Sequence, residues 1–181
     1  MLVALEKKAF ASSLKGARVE LWRAQTAHAD QLWPSVLRDR ELRGSSWPAI
    51  DSLEEFQNYF SELDTELPKQ EVVYVLFKND MAIGTFHIFS FSYPNHRVEI
   101  GYGIEHSFEG QGLVSEALVL VEGELKSLGF NRVEIRCNAL NERSVALAKR
   151  HQYEQEAFLK QECIEDGEYR DTLIFAKLLK K

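Results

Sequence analysis

The chain has 181 residues, 45% apolar and 28% charged, which is the profile of one folded domain able to bury its own core. Its net charge of −6 argues against a generic nucleic-acid binder, and no uncharged stretch is long and apolar enough to span a membrane. Met1 to Ala9 is apolar before it is basic, the reverse of a secretory leader, so a cytoplasmic location is expected.

Ala17 to Trp22 reads as a first strand, after an N-terminal extension over residues 1–16. Thr26 is expected as an N-cap, followed by a helix with Ala29, Leu32, Trp33, Val36 and Leu37 on one face. Trp47-Pro48 breaks the chain. Ser52-Leu53-Glu54-Glu55 is a capping box that opens a second helix, striped by Leu53, Phe56, Tyr59, Phe60 and Leu63. Asp51 to Glu71 is also an acidic run, with Asp51, Glu54, Glu55, Glu62, Asp64, Glu66 and Glu71 against one Lys69.

Glu71–Phe77 and Met81–Ser90 form a hairpin across Asn79-Asp80, and Arg97–Ile104 follows the turn at Tyr93–His96. On the Arg97–Ile104 strand Val98, Ile100, Tyr102 and Ile104 share one face, and Glu99, Gly101 and Gly103 share the other. His87 is expected to point the same way as Ile83 and Thr85, at core or rim. A long helix carries Val114, Ala117, Leu118, Val121, Leu125 and Leu128, and Gly129 is its natural stop. A strand over Asn131–Cys137, a short helix over Asn141–Arg150 with Asn141 as N-cap, and two strands flanking Asp166-Gly167 complete the chain. The order β-α-α-β-β-β-α-β-α-β-β is α+β, with a mixed, mostly antiparallel sheet.

The chemistry concentrates in Ser107-Phe108-Glu109-Gly110-Gln111-Gly112-Leu113, between the Arg97–Ile104 strand and the long helix. Two glycines let the backbone approach a ligand closely, and the helix N-terminus offers free amides and a positive dipole end. That is an anion cradle on physical grounds; a tight strand-to-helix turn needing glycine explains it equally well. It is neither a dinucleotide fingerprint, since Ser115 fills the third glycine slot, nor a P-loop, since no Gly-Lys-Ser/Thr follows. Cys137 and Cys163 lack metal-ligand spacing and read as small buried hydrophobes, and no metal is expected.

Glu99-Ile100-Gly101-Tyr102, then Gly110 to Ala117, Asn131 to Cys137 and Asn141-Glu142-Arg143-Ser144, resemble in this order the acetyl-CoA-binding region of the GNAT N-acetyltransferases, most closely the RimJ/RimL branch. The resemblance runs from about Val72 to Leu178 and is weaker through Ala17 to Leu63. It implies a single three-layer domain over residues 1–181, with helices on both sheet faces. It implies acetyl-CoA as co-substrate and an amine acceptor, a cationic protein N-terminus, with no membrane and no nucleic acid as partner. The oligomeric state stays open, a homodimer included. Acetylation of a polyamine or another small amine, or CoA binding without turnover, are the rival readings.

By the same resemblance, backbone amides of Glu109, Gly110, Gln111, Gly112 and Leu113 would hold the CoA diphosphate. Backbone groups of Tyr102 and Ile104 would pair with pantetheine, and Asn141 would bind it by its side chain, unless Asn141 is only an N-cap. Most of the family uses a Tyr in the short helix to protonate the leaving thiolate; Ala148 stands there. Ser144 matches the serine that the RimJ/RimL branch uses instead, against the plain alternative of a solvated helix serine. Glu99 is the first candidate for general base, against a structural ion pair. A branch carboxylate falls on Cys163 here, so the neighbouring Glu162 could serve only if a bulge re-aims it.

Overall fold

The computed structural model describes residues 9–43, 50–63, 71–165 and 167–179, with 39–43 described by backbone alone. In chain order the elements are β1 (Ser13–Lys15), β2 (Glu20–Arg23), α1 (Thr26–Arg43), α2 (Leu53–Leu63), β3 (Glu71–Lys78), β4 (Met81–Ser92) and β5 (Arg97–Ile104). They continue with α3 (Leu113–Leu128), β6 (Arg132–Asn138), α4 (Glu142–Arg150), β7 (Glu154–Glu165) and β8 (Glu168–Leu178). This is the expected α+β fold with one strand more than expected. Ser13–Lys15, inside the stretch read as an extension, pairs antiparallel with β2 and becomes a sheet edge. Three residues with no alternation give a strand too weak a signal to read.

One eight-stranded sheet runs β1-β2-β3-β4-β5-β6-β8-β7. Every pairing is antiparallel except β5 with β6. That parallel ladder stops at Ile100–Ile135, although β5 continues to Ile104 and β6 to Asn138. The sheet therefore opens between its two central strands.

The two faces bury separate cores. On one, α3 contributes Ala117, Leu118, Val121 and Leu125 against Tyr74, Phe86, Ile100, Val133 and Phe175. On the other, α1 and α2 bury Ala29, Leu32, Val36, Phe56 and Phe60 against Val73 and Val75. Phe56 and Phe60 are fully buried with ring centroids 4.7 Å apart, worth roughly 1.5–3 kcal/mol each from burial alone. Leu37, expected on the buried face of α1, is 40% exposed.

Local chemistry accounts for most helix ends. Ser52 Oγ accepts from the Glu55 amide at 3.2 Å and Glu55 Oε2 accepts from the Asp51 amide at 3.1 Å, a capping box shifted back by one residue on its return arm. α3 stops at Gly129, φ +100. Thr26 is the first residue of α1 rather than its cap; the preceding Gln25 amide donates to the His28 ring at 3.2 Å. α1 also runs through Pro34 to Arg43. β7 and β8 pair up to Glu165–Glu168, with Gly167 at φ +77 in the two-residue connection. Trp47-Pro48 lies outside the described residues, as do Asp64, Glu66, Lys69 and Asp166. Among the described residues no helix is long and apolar enough to cross a membrane.

Candidate active site

Where β5 and β6 part, a cleft of about 1070 Å³ opens. Tyr102 and Ile104 of β5, Glu109, Gly110, Gly112 and Leu113 of the cradle, and Asn141 and Ser144 at the start of α4 all line it. Gln111 and Glu99 do not. Gln111 turns its side chain away, where its Oε1 accepts from Lys78 Nζ at 2.7 Å and its Nε2 donates to the Ser107 carbonyl at 3.1 Å.

The cradle takes its shape from two residues with positive φ, Gly110 at +71° and Gly112 at +73°. Gly112 is the N-cap of α3 and carries no capping side chain, so the first amides of the helix stay available to a ligand. A Cβ built on Gly110 meets nothing within 4 Å, which leaves open space in front of the loop. Ser107 turns inward and its Oγ donates to Glu105 Oε1 at 2.7 Å. That carboxylate, 6% exposed, also receives Arg38 of α1 through Nε at 3.0 Å and Nη2 at 2.8 Å. Burial alone would raise its pKa, but the bonds from Arg38, Ser107 and Ser35 outweigh that and bring it down to about 2. The Arg38–Glu105 fork, unread in the sequence, ties α1 to the entrance of the cradle; α1 residues and a glutamate 67 positions apart leave no local pattern.

Inside the cleft the Glu109 side chain is ion-paired with His106 at 3.2 Å and with Arg143 of α4. This pair spans the two walls of the cleft. Asn141 Oδ1 accepts from the Ser144 amide at 3.0 Å, the expected N-cap, which leaves its Nδ2 amide able to donate to a ligand. Ser144 is buried, and its Oγ shares a 2.8 Å hydrogen bond with the Tyr102 hydroxyl. Burial pushes the Tyr102 phenol up to about 12, against the opposing effect of that bond, so it remains protonated in any ordinary assay. Ala148, one turn beyond Ser144, is fully buried. Burial also pushes the nearby Cys137 thiol up, against a hydrogen bond with Ser144, and keeps it un-ionised.

Glu99 lies on the opposite face of β5, with Gly101 and Gly103. Its carboxyl is pushed up chiefly by burial, while Arg136 at 3.6 Å pulls it down. The same Arg136 reaches Glu162 at 3.7 Å. β7 slips register between Leu159 and Cys163, with Gln161 at φ +52. The bulge is there, and Glu162 Oε2 accepts from Thr172 Oγ1 at 2.9 Å. Two carboxylates thus share one guanidinium beside the point where the sheet opens.

On the same face His87 joins Thr85 through Nε2 at 2.9 Å and Glu71 through Nδ1 at 2.5 Å, and Tyr59 donates to Glu71 at 3.1 Å. Thr85 and His87 pair with Val75 and Val73, which belong to the α1–α2 core, whereas Ile83 belongs to the other core. The expectation that all three point one way fails because a register shift at Leu76/Phe77 turns the strand between them. No group of three or more potential metal ligands occurs among the described residues.

The model of the acetyltransferase (GNAT) domain matches residues 18–154. The chain belongs to the GNAT acetyltransferase family. This GNAT chain is 31% identical over 108 residues to the ribosomal-protein-serine acetyltransferase of Escherichia coli, covering 59% of itself and 60% of that protein. It is 25% identical over 160 residues to the ribosomal protein uS5-alanine N-acetyltransferase of the same organism, covering 84% of itself and 77% of that protein. Its fold superposes with a TM-score of 0.82, at 25% identity, on the ribosomal L7/L12 alpha-N-protein acetyltransferase RimL in complex with coenzyme A, covering 94% of this chain and 98% of that one. The resemblance read from the motifs is thus the family found by comparison.

Proposed function

We propose that this GNAT chain transfers acetyl from acetyl-CoA to a primary amine, the N-terminus of a basic protein, in a ternary complex. The observation that carries the reading is the single cleft in which the open sheet edge, the glycine cradle and the Tyr102–Ser144 pair converge. The cradle's open amides suit a diphosphate, and the open space before Gly110 leaves room for it. Acetyl-CoA supplies the activated thioester.

The chain's own groups then divide the work. Backbone groups of Tyr102 and Ile104 align the thiol arm as an added strand. Asn141 Nδ2 donates to the same arm. A backbone amide of β5 polarises the acetyl carbonyl. Ser144, held by the Tyr102 hydroxyl, donates a proton to the leaving sulfur. The amine arrives from the α1–α2 face and must lose a proton to attack. Glu99 takes that proton; Glu162 is the second candidate, since the β7 bulge brings it to the same Arg136. Neither cysteine is needed.

A thiol-release assay with acetyl-CoA and a panel of basic peptides and polyamines tests the reading. Release with peptides bearing a free N-terminal Ser or Ala supports it. Release with polyamines alone points to a small-amine enzyme. CoA binding with no release from any amine makes the chain a binding module.

A further inference from the structure

Arg18 lies at the tip of the β1–β2 hairpin, behind the cradle and outside the cleft lining. Its guanidinium fork holds three groups at once. Nε donates to Glu116 Oε2 at 2.8 Å, Nη1 to the Gln111 carbonyl at 3.0 Å and Nη2 to the Gly112 carbonyl at 3.3 Å. The Arg18 amide also donates to Glu116 Oε1 at 2.8 Å. Burial would raise the Glu116 carboxyl, but these bonds outweigh it and lower the pKa. The tip is fitted to that carboxylate: a Cβ on Gly16 would come within 2.3 Å of Glu116 Oε1.

The two carbonyls are the ones that orient the cradle. In a trans peptide the C=O of one residue and the N–H of the next point in opposite directions. Pinning the Gln111 carbonyl toward Arg18 turns the Gly112 N–H away from it. The Gly112 carbonyl, which also accepts from the Glu116 amide at 3.1 Å as the first bond of α3, is braced by Arg18 in the orientation that turns the Leu113 N–H away. Gly112 and Leu113 line the cleft; Arg18 does not. A glycine-rich loop has many alternative peptide orientations, and each one lost on binding weakens the ligand.

We propose that Arg18 is a positioning residue for the anion cradle: its fork fixes the Gln111–Gly112 and Gly112–Leu113 peptide planes with their amides facing the cleft before the diphosphate arrives. The inference rests on the reading of the cradle as the CoA diphosphate site. It requires arginine, because a lysine ammonium keeps the charge but cannot hold two carbonyls and a carboxylate in one plane. Lys78 is the natural control, since it reaches the same loop only through side chains, Gln111 Oε1 at 2.7 Å and the Phe108 ring at 5.6 Å.

The test is titration calorimetry on the full chain with CoA and with pantetheine, which keeps the thiol arm but lacks the diphosphate, for wild type, Arg18→Lys and Lys78→Gln. Arg18→Lys should raise the CoA Kd by roughly tenfold, the scale of one charge-assisted bond, and leave the pantetheine Kd unchanged. Lys78→Gln should raise the CoA Kd by less, about two- to threefold, by weakening the local positive potential. A partly unfolded Arg18→Lys sample lowers the binding stoichiometry for both ligands and leaves the ratio of their Kd values in place. An unchanged ratio in Arg18→Lys overturns the proposal, as does an equal loss in both variants, which would reduce Arg18 to a surface charge. Wild-type protein that binds CoA no better than pantetheine would instead overturn the cradle reading itself.

Discussion

The hydroxyl of Ser144 bonds to the Tyr102 hydroxyl at 2.8 Å, and on the proposed reading the two together replace the tyrosine that Ala148 does not supply. Ser144→Ala should lower kcat by about 10²–10⁴-fold, less if water takes its place, with the acetyl-CoA KM little changed. Tyr102→Phe should give a smaller loss, and the double variant should be no worse than Ser144→Ala alone, because the phenol acts through the serine. Additive losses would mean that Tyr102 works independently. The base can be read from pH. Burial holds the Glu99 carboxyl above its ordinary range, and Arg136 opposes that shift. If Glu99 is the base, the acid limb of kcat/KM lies above that of an ordinary carboxylate, and Arg136→Gln moves it further up. A limb that does not move in Arg136→Gln, or that survives in Glu99→Gln, excludes Glu99. Ser144, Asn141 and the cradle were visible in the sequence because each sits in a contiguous motif. Arg18, Arg38 and Glu105 were not, because their partners are 93, 67 and 67 residues away.

Two elements meet at Glu105: helix α1, through Arg38, and the cradle, through Ser107. Its pKa of about 2 lies below the ordinary 4.5, so the stabilisation is complete above pH 4.5 and is lost as pH falls toward 2. Glu105→Gln should therefore cost about 1–3 kcal/mol near neutrality, discounted for the half-exposed Arg38, and the deficit should shrink when unfolding is followed at pH 2–3. A deficit that does not depend on pH would assign the effect to shape rather than charge. Helix α2 is held from the other side by its buried phenylalanines. Phe60→Ala should cost about 3–5 kcal/mol in denaturant unfolding, the penalty of a large core truncation. The strongly periodic elements α2, α3 and β5 were legible to within a residue, because an apolar stripe and a stop residue mark each of them. β1 was missed for lack of length, and the facing of β4 because a bulge leaves no trace in composition.

Across the whole molecule, the sheet separates a face covered by α3 from a face covered by α1 and α2, and on the proposed reading the amine enters from the second. Among the described residues of the acidic run 51–71 the charges are not equivalent. Glu55 is spent in a cap and Glu71 on His87 and Tyr59, whereas Asp51, Glu54 and Glu62 are exposed. Reversing Glu62, Asp64 and Glu66 to lysine should raise the KM of a cationic acceptor at low salt, converge with wild type as salt screens the surface, and leave the acetyl-CoA KM in place. An unchanged acceptor KM at low salt would make the run a solvated surface. The most direct test of the proposed function is mass spectrometry of a basic peptide with a free N-terminal serine, incubated with acetyl-CoA and the protein beside the same peptide with its N-terminus blocked and its lysines free. Acetyl transfer to an N-terminal amine requires acetate on the α-amine of the first peptide and none on the second. Equal acetylation of lysines in both peptides, or none in either while CoA binds, would contradict it.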